Sequence, residues 1–202
     1  MALLTTSRGC RRSRLALGWR VAWLVALTVL GGMAPAASAQ PATPAEYQVK
    51  AAFLFKLTQF VEWPARAFRD GDSPLVIGIL GEDPFGAYLD ELVKGEKLGS
   101  RPLVVRRFNR VEDITDCQIL FISRSETATL EKSLAQLKGR SVLTVGDADT
   151  FTQQGGMVRF SIENGKVRLK ISVANIEADK ASGLKPSSTI LSPATIVPLG
   201  KD

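Results

Sequence analysis

The run Leu75-Val76-Ile77-Gly78-Ile79-Leu80 has no polar side chain, and the turn Gly81-Glu82-Asp83-Pro84 follows it directly. A strand apolar on both faces has to be covered on both, which points to the interior of a parallel sheet with helices on either side. Two more short apolar runs, Ile119-Leu120-Phe121-Ile122 and Val142 to Val145, repeat the pattern, and Pro102 to Phe108 reads as another strand. Segments of helical character separate them, and strands alternating with helices make a mainly parallel α/β sheet flanked by helices.

The intervening segments supply the helices. Val49, Ala52, Phe53, Leu57, Phe60 and Val61 recur at three- and four-residue spacing, predicting a helix from about Ala45. Pro64 disfavours a helical backbone at Trp63, so this helix should stop near there. Asp83 and Pro84 suit the N-cap and first position of a helix running to about Lys94. Ser123 and Glu126 have capping-box spacing for a helix to about Lys138, and Asp147 suits a cap for a short turn around Thr150-Phe151. The last third changes character. Asn164-Gly165, between Met157–Glu163 and Lys166–Ser172, signals a type I′ hairpin, so a C-terminal antiparallel hairpin closes the fold. That turn sets Ile162 opposite Val167, Phe160 opposite Leu169 and Val158 opposite Ile171, with Arg159, Ser161, Arg168 and Lys170 on the other, wet face. A helix from about Ala174 to Ser182 and a tail with Leu184, Ile190, Leu191 and Ile196 docked on the core complete the expectation.

Residues 1–39 read as a cleaved export signal: Arg8, Arg11, Arg12, Arg14 and Arg20, a short apolar core from Val21 to Leu30, and Ala37-Ser38-Ala39. The apolar core is too short to span a bilayer. The expected mature chain is one exported domain, residues 40–202. Cleavage removes five arginines and no acid, leaving 21 basic against 20 acidic residues, so the basic character leaves with the leader and nucleic acid is not an expected partner. Cys10 leaves too, and Cys117 remains without a partner for a disulfide. The sequence has no histidine, which excludes Ser-His-Asp and Cys-His nucleophiles and the His-rich zinc sites.

Few constellations suggest chemistry. Gly81 to Gly86 stands where a phosphate loop would be, but its spacing is wrong and Glu82 and Asp83 occupy the positive helix end. Glu82, Asp83, Asp147 and Asp149 fall at strand ends, where a hard cation would sit, yet Asp83 and Asp147 are explained as caps. Cys117 precedes an apolar strand and is expected to be buried and inert. Lys50, Lys56, Arg66 and Arg69 read as a solvated face. No catalytic, cofactor or metal residue is expected.

Several segments in order carry a resemblance: Ala51-Ala52-Phe53-Leu54-Phe55-Lys56 leading to Phe60-Val61-Glu62-Trp63-Pro64, then Gly78 to Gly86, Arg101-Pro102-Leu103, Cys117 to Ser123, Leu143-Thr144-Val145, Gly155-Gly156-Met157 and Gly183-Leu184. The set resembles the YfiR-like family of exported proteins over nearly the whole mature chain. The resemblance implies a periplasmic regulator rather than an enzyme. The best-known member restrains an inner-membrane diguanylate cyclase by binding its periplasmic sensor region and is itself sequestered by an outer-membrane lipoprotein. That member has disulfides, which Cys117 alone cannot form here. Two partner-binding surfaces are expected: Phe60, Trp63 and Pro64 at the end of the first helix, and the cationic hairpin face of Arg159, Arg168 and Lys170. The alternative is a periplasmic small-molecule binding module with its cleft at the strand ends.

Overall fold

The computed structural model describes residues 43–187 and 197–198. Residues 1–39 with their cleavage motif, and Ile190, Leu191 and Ile196 of the tail, lie outside the described residues. Thr43 opens the first helix, α1 (Pro44–Phe60), by accepting a hydrogen bond from the Glu46 amide, and Pro44 takes a position where no amide donor is needed. At Val61 the chain becomes extended, just ahead of Trp63-Pro64 where the proline disfavours helix, and forms the short strand β1 (Val61–Glu62).

The order then runs β2 (Leu75–Leu80), α2 (Ala87–Val93), β3 (Lys97–Leu98), β4 (Arg101–Phe108), β5 (Ile119–Ile122), α3 (Leu130–Leu137) and β6 (Leu143–Gly146). It ends with β7 (Val158–Glu163), β8 (Lys166–Ile171), α4 (Val173–Ala178), β9 (Lys185–Pro186) and β10 (Val197–Pro198). The main sheet is ordered β10-β8-β7-β6-β5-β2-β4-β3, and β1 pairs with β9 in a separate two-stranded sheet. Strands β4, β2, β5, β6 and β7 are parallel neighbours, and β3, β8 and β10 add antiparallel edges. The first parallel strand therefore has the second on one side and the third on the other. This is the order of a doubly wound sheet with its switch point between β2 and β5.

Side-chain alternation divides the interior into two layers. Leu75, Ile77 and Ile79 face α1 and α2 with Ile119, Phe121, Leu143 and Val145. Val76 and Leu80 face the α3 side with Leu120, Ile122, Leu130, Leu134 and Phe151. Gly78 belongs to this second face, where a Cβ would come within 2.7 Å of Cys117 Sγ, so the strand can pack there only without a side chain. Complete burial of leucine or isoleucine side chains is worth about 1.5–3 kcal/mol each before entropy is subtracted.

The hairpin has the register its turn demands: Ile162 opposite Val167, Phe160 opposite Leu169, Val158 opposite Ile171, and Arg159 opposite Lys170. Asn164 and Gly165 have φ of 52° and 68°, the two positive values of a type I′ turn. The apolar face does not extend to the tip, because Ile162 is 44% exposed. Two helix starts and one helix end differ from expectation. Helix α2 begins at Ala87 rather than Pro84, because Asp83 Oδ1 closes a local turn by accepting from the Phe85 and Gly86 amides. Ser123 caps only a 3₁₀ turn, Arg124–Glu126, and α3 starts later, at Leu130. Ser172 caps α4, whose α-helical part ends at Ala178 before a 3₁₀ turn, Lys180–Ser182. Leu184 does reach the core.

Candidate functional site

Doubly wound sheets usually bind ligands at the carboxyl ends of their strands, at the switch point. Here the chain fills that crevice itself. Ser125 Oγ accepts the Glu82 amide at 3.0 Å, and a Cβ on Gly81 would overlap Ser125 and Glu126. Positive φ at Gly81, +86°, lets the backbone turn beneath them.

Beside this plug, a charged cluster joins α1 to the end of β6. Lys50 is 1% exposed and meets Glu46 and Asp147 at 2.6 Å each. The Tyr47 hydroxyl donates to Asp147 at 3.0 Å, and the Tyr47 ring lies 4.2 Å from the Lys50 ammonium. Arg124 donates to the Asp147 carbonyl and approaches its carboxylate at 3.4 Å. Burial, reinforced by the negative charge of Asp147, pushes the Tyr47 hydroxyl well above its ordinary pKa. Two expectations are corrected here. Lys50 is not on a solvated face, because its ammonium enters the interior to meet Asp147. Asp147 does not cap a turn, because Oδ2 accepts from Lys50 and Tyr47.

The neighbouring strand ends are also internally paired. Arg107 bridges Asp83 at 2.8 Å and Asp90 at 2.5 Å, and its hydrogen bond holds the Asp90 carboxyl below its ordinary pKa. Among the described residues no three carboxylates, thiols or imidazoles gather into a metal-binding group.

The two expected contact surfaces fall in different settings. Phe60, Trp63 and Pro64 are half-buried. The Trp63 indole donates to the Gln118 carbonyl at 3.2 Å, and the Phe60 carbonyl accepts from the Ser187 amide at 2.8 Å. This aromatic corner is built into the seam between β1 and β9. On the hairpin, Arg159 is 18% exposed and pairs with Asp149, while Glu163 receives Arg168 at 3.1 Å and Lys170 at 2.8 Å. The hydrogen bond from Lys170 is the main reason the Glu163 carboxyl is held below its ordinary pKa. Ser161 is 7% exposed, so this face is drier than a polar face of a hairpin usually is. On this face Arg159, Arg168 and Lys170 meet two acids, Asp149 and Glu163, which leaves one of the three positive charges in surplus.

Sequence reasoning missed Lys50 as a site residue. Glu46 and Lys50 have the i,i+4 spacing of a helical ion pair, but that spacing looks the same on a wet face. Cys117 is buried as expected; desolvation pushes its thiol pKa up to about 12, which disfavours the nucleophilic thiolate.

These features define a doubly wound α/β domain with an appended hairpin and a self-filled ligand crevice. The chain belongs to the YfiR/HmsC-like family (DUF4154), whose model matches residues 47–195. No curated protein matches it.

Proposed function

We propose that this protein is a periplasmic regulator, released by cleavage after Ala39, that restrains an inner-membrane diguanylate cyclase by contact with the cyclase's periplasmic region. An outer-membrane lipoprotein that sequesters it would lift the restraint. The observation that carries the reading is membership of the YfiR/HmsC-like family across residues 47–195. The switch point, where Ser125 accepts the Glu82 amide, supports a protein that works through its surface, since the chain's own residues take up the usual ligand crevice.

The contact face in this reading is the hairpin. Arg159, Arg168 and Lys170 supply a weakly positive face that steers toward an acidic sensor loop. Deleting the protein is expected to raise cyclic di-GMP, and the double reversal Arg159→Glu/Arg168→Glu should mimic deletion while the protein still folds. The cyclase's periplasmic region should co-purify with the wild type and not with the reversal. Wild-type signalling from a folded double reversal removes the hairpin as the interface, and unchanged cyclic di-GMP after full deletion removes the regulatory role. The second reading, a small-molecule binding module, is favoured by a cavity of about 220 Å³ lined by Lys50, Arg124, Asp147 and Arg159.

A further inference from the structure

At the amino ends of the parallel strands, a hollow of about 400 Å³ opens between the 3₁₀ turn Ala65–Ala67, the segment entering β5 and the connection from α3 to β6. Arg66, Arg69 and Arg140 stand on its wall. Arg69 is neutralised by Asp116 at 2.7 Å. The other two are held differently. Arg140 Nη2 donates to the carbonyls of Ile114 at 2.5 Å and Thr115 at 3.3 Å. Arg66 Nη2 donates to the Ala181 carbonyl and lies over Gly183, where a Cβ would come within 2.7 Å of it. Among the described residues no carboxylate forms an ion pair with Arg66 or Arg140.

Backbone carbonyls orient a guanidinium without cancelling its charge, and each guanidinium has five N–H donors, so donors remain after these bonds. The charge is felt at the floor of the hollow, where Arg140 and the nearby Arg106 oppose the effect of burial on the Cys117 thiol. A smaller hollow shares Arg69 and Asp116 and adds Arg106, extending the positive region along the same end of the sheet. Two fixed, unneutralised guanidiniums facing one cavity repel each other until an anion enters, and their planar forks match phosphate oxygens.

We propose that this hollow binds a phosphate-class dianion between Arg66 and Arg140. The two charges left unpaired match a phosphate or phosphomonoester, whereas a single carboxylate neutralises only one of them. The hollow lies in the size range of small-ligand sites. Either a free phosphoryl compound or a phospholipid headgroup supplies this chemistry. The proposal is independent of the regulatory reading, because phosphate binding is measured on the purified protein without any partner.

Calorimetric titration with inorganic phosphate at constant ionic strength should give one saturable site. Thr115 is exposed and touches Arg140 through its backbone carbonyl, so Thr115→Glu adds a competing carboxylate while keeping that hydrogen bond. The variant should bind phosphate at least about tenfold more weakly, since one competing charge in a charge-assisted site is worth about 1.4 kcal/mol or more. Arg66→Gln, which keeps a donor for the Ala181 carbonyl, should show the same loss and stands in if Thr115→Glu fails to fold. Co-sedimentation with phosphatidylglycerol vesicles but not phosphatidylcholine vesicles, lost in the same variants, identifies the headgroup as the source. Phosphate binding without vesicle binding identifies a free phosphoryl compound. Equal phosphate affinity in wild type and a folded variant, or binding of neither phosphate nor vesicles, overturns the proposal.

Discussion

The two ends of the parallel sheet treat charge in opposite ways. At the carboxyl end, Lys50 is held between Glu46 and Asp147, Arg107 between Asp83 and Asp90, and Arg159 against Asp149. At the amino end Arg69 pairs with Asp116, but among the described residues Arg66 and Arg140 form no ion pair and donate to backbone carbonyls. An ion pair closed within the chain fixes one arrangement of its elements and leaves little field outside. A guanidinium held by carbonyl dipoles is equally well oriented but still projects its charge. The first end is thus suited to holding α1 in place and the second to meeting something anionic.

The largest test of this contrast is Asp147→Ala. It leaves the buried Lys50 ammonium without one of its two carboxylates and should destabilise the fold by about 3–5 kcal/mol in urea unfolding. A loss below about 1 kcal/mol would show that the cluster does not lock α1. Gly146→Ala, at the end of the same strand, drives a methyl group into the Phe151 ring and should cost about 1–3 kcal/mol by overpacking.

A pH experiment reaches the other end. The Cys117 thiol ionises near 9 when unfolded and at about 12 when folded, so above pH 9 the unfolded chain releases a proton that the folded chain retains. Stability from this group is complete below pH 9 and falls as pH rises from 9 toward 12. Between pH 8 and pH 10 the wild type should lose about 1 kcal/mol more than Cys117→Ala, measured by urea unfolding at each pH. Parallel pH profiles would mean that the thiol is solvated in the folded protein. The smallest effect is expected at the exposed pair Glu91–Lys94, 3.2 Å apart: Lys94→Ala should change stability by less than about 0.5 kcal/mol. A larger loss there would blur the distinction between buried and wet pairs.

Local chemistry explains what was readable in the sequence. Asn164-Gly165 can turn in few ways, so the hairpin register follows from two residues. The runs Leu75–Leu80 and Ile119–Ile122 are apolar on both faces and therefore interior, and the parallel α/β sheet follows from them. Cys117 reads as buried because an apolar strand begins next to it. The errors come where a side chain serves a distant partner. Asp83 looks like a helix cap, but its Oδ2 reaches Arg107 on β4 while Oδ1 closes a local turn, which delays the helix to Ala87. Lys50 looks solvated because its deciding partner, Asp147, is 97 residues away. Arg66 gives no local sign that a carbonyl 115 residues later holds it.

The pairing of β1 with β9 has a consequence for the order of events as the chain is made. Val61 pairs with Pro186 and Glu62 with Lys185, so α1 cannot be fastened at its carboxyl end until almost the whole domain exists. The buried ammonium of Lys50 likewise waits for Asp147. At ordinary rates of synthesis the interval between residues 61 and 186 is roughly 6–25 s. Throughout it, the amino-terminal third has no complete native seat. Such long-range closure slows folding, and the nascent chain becomes compact only near the end of its synthesis.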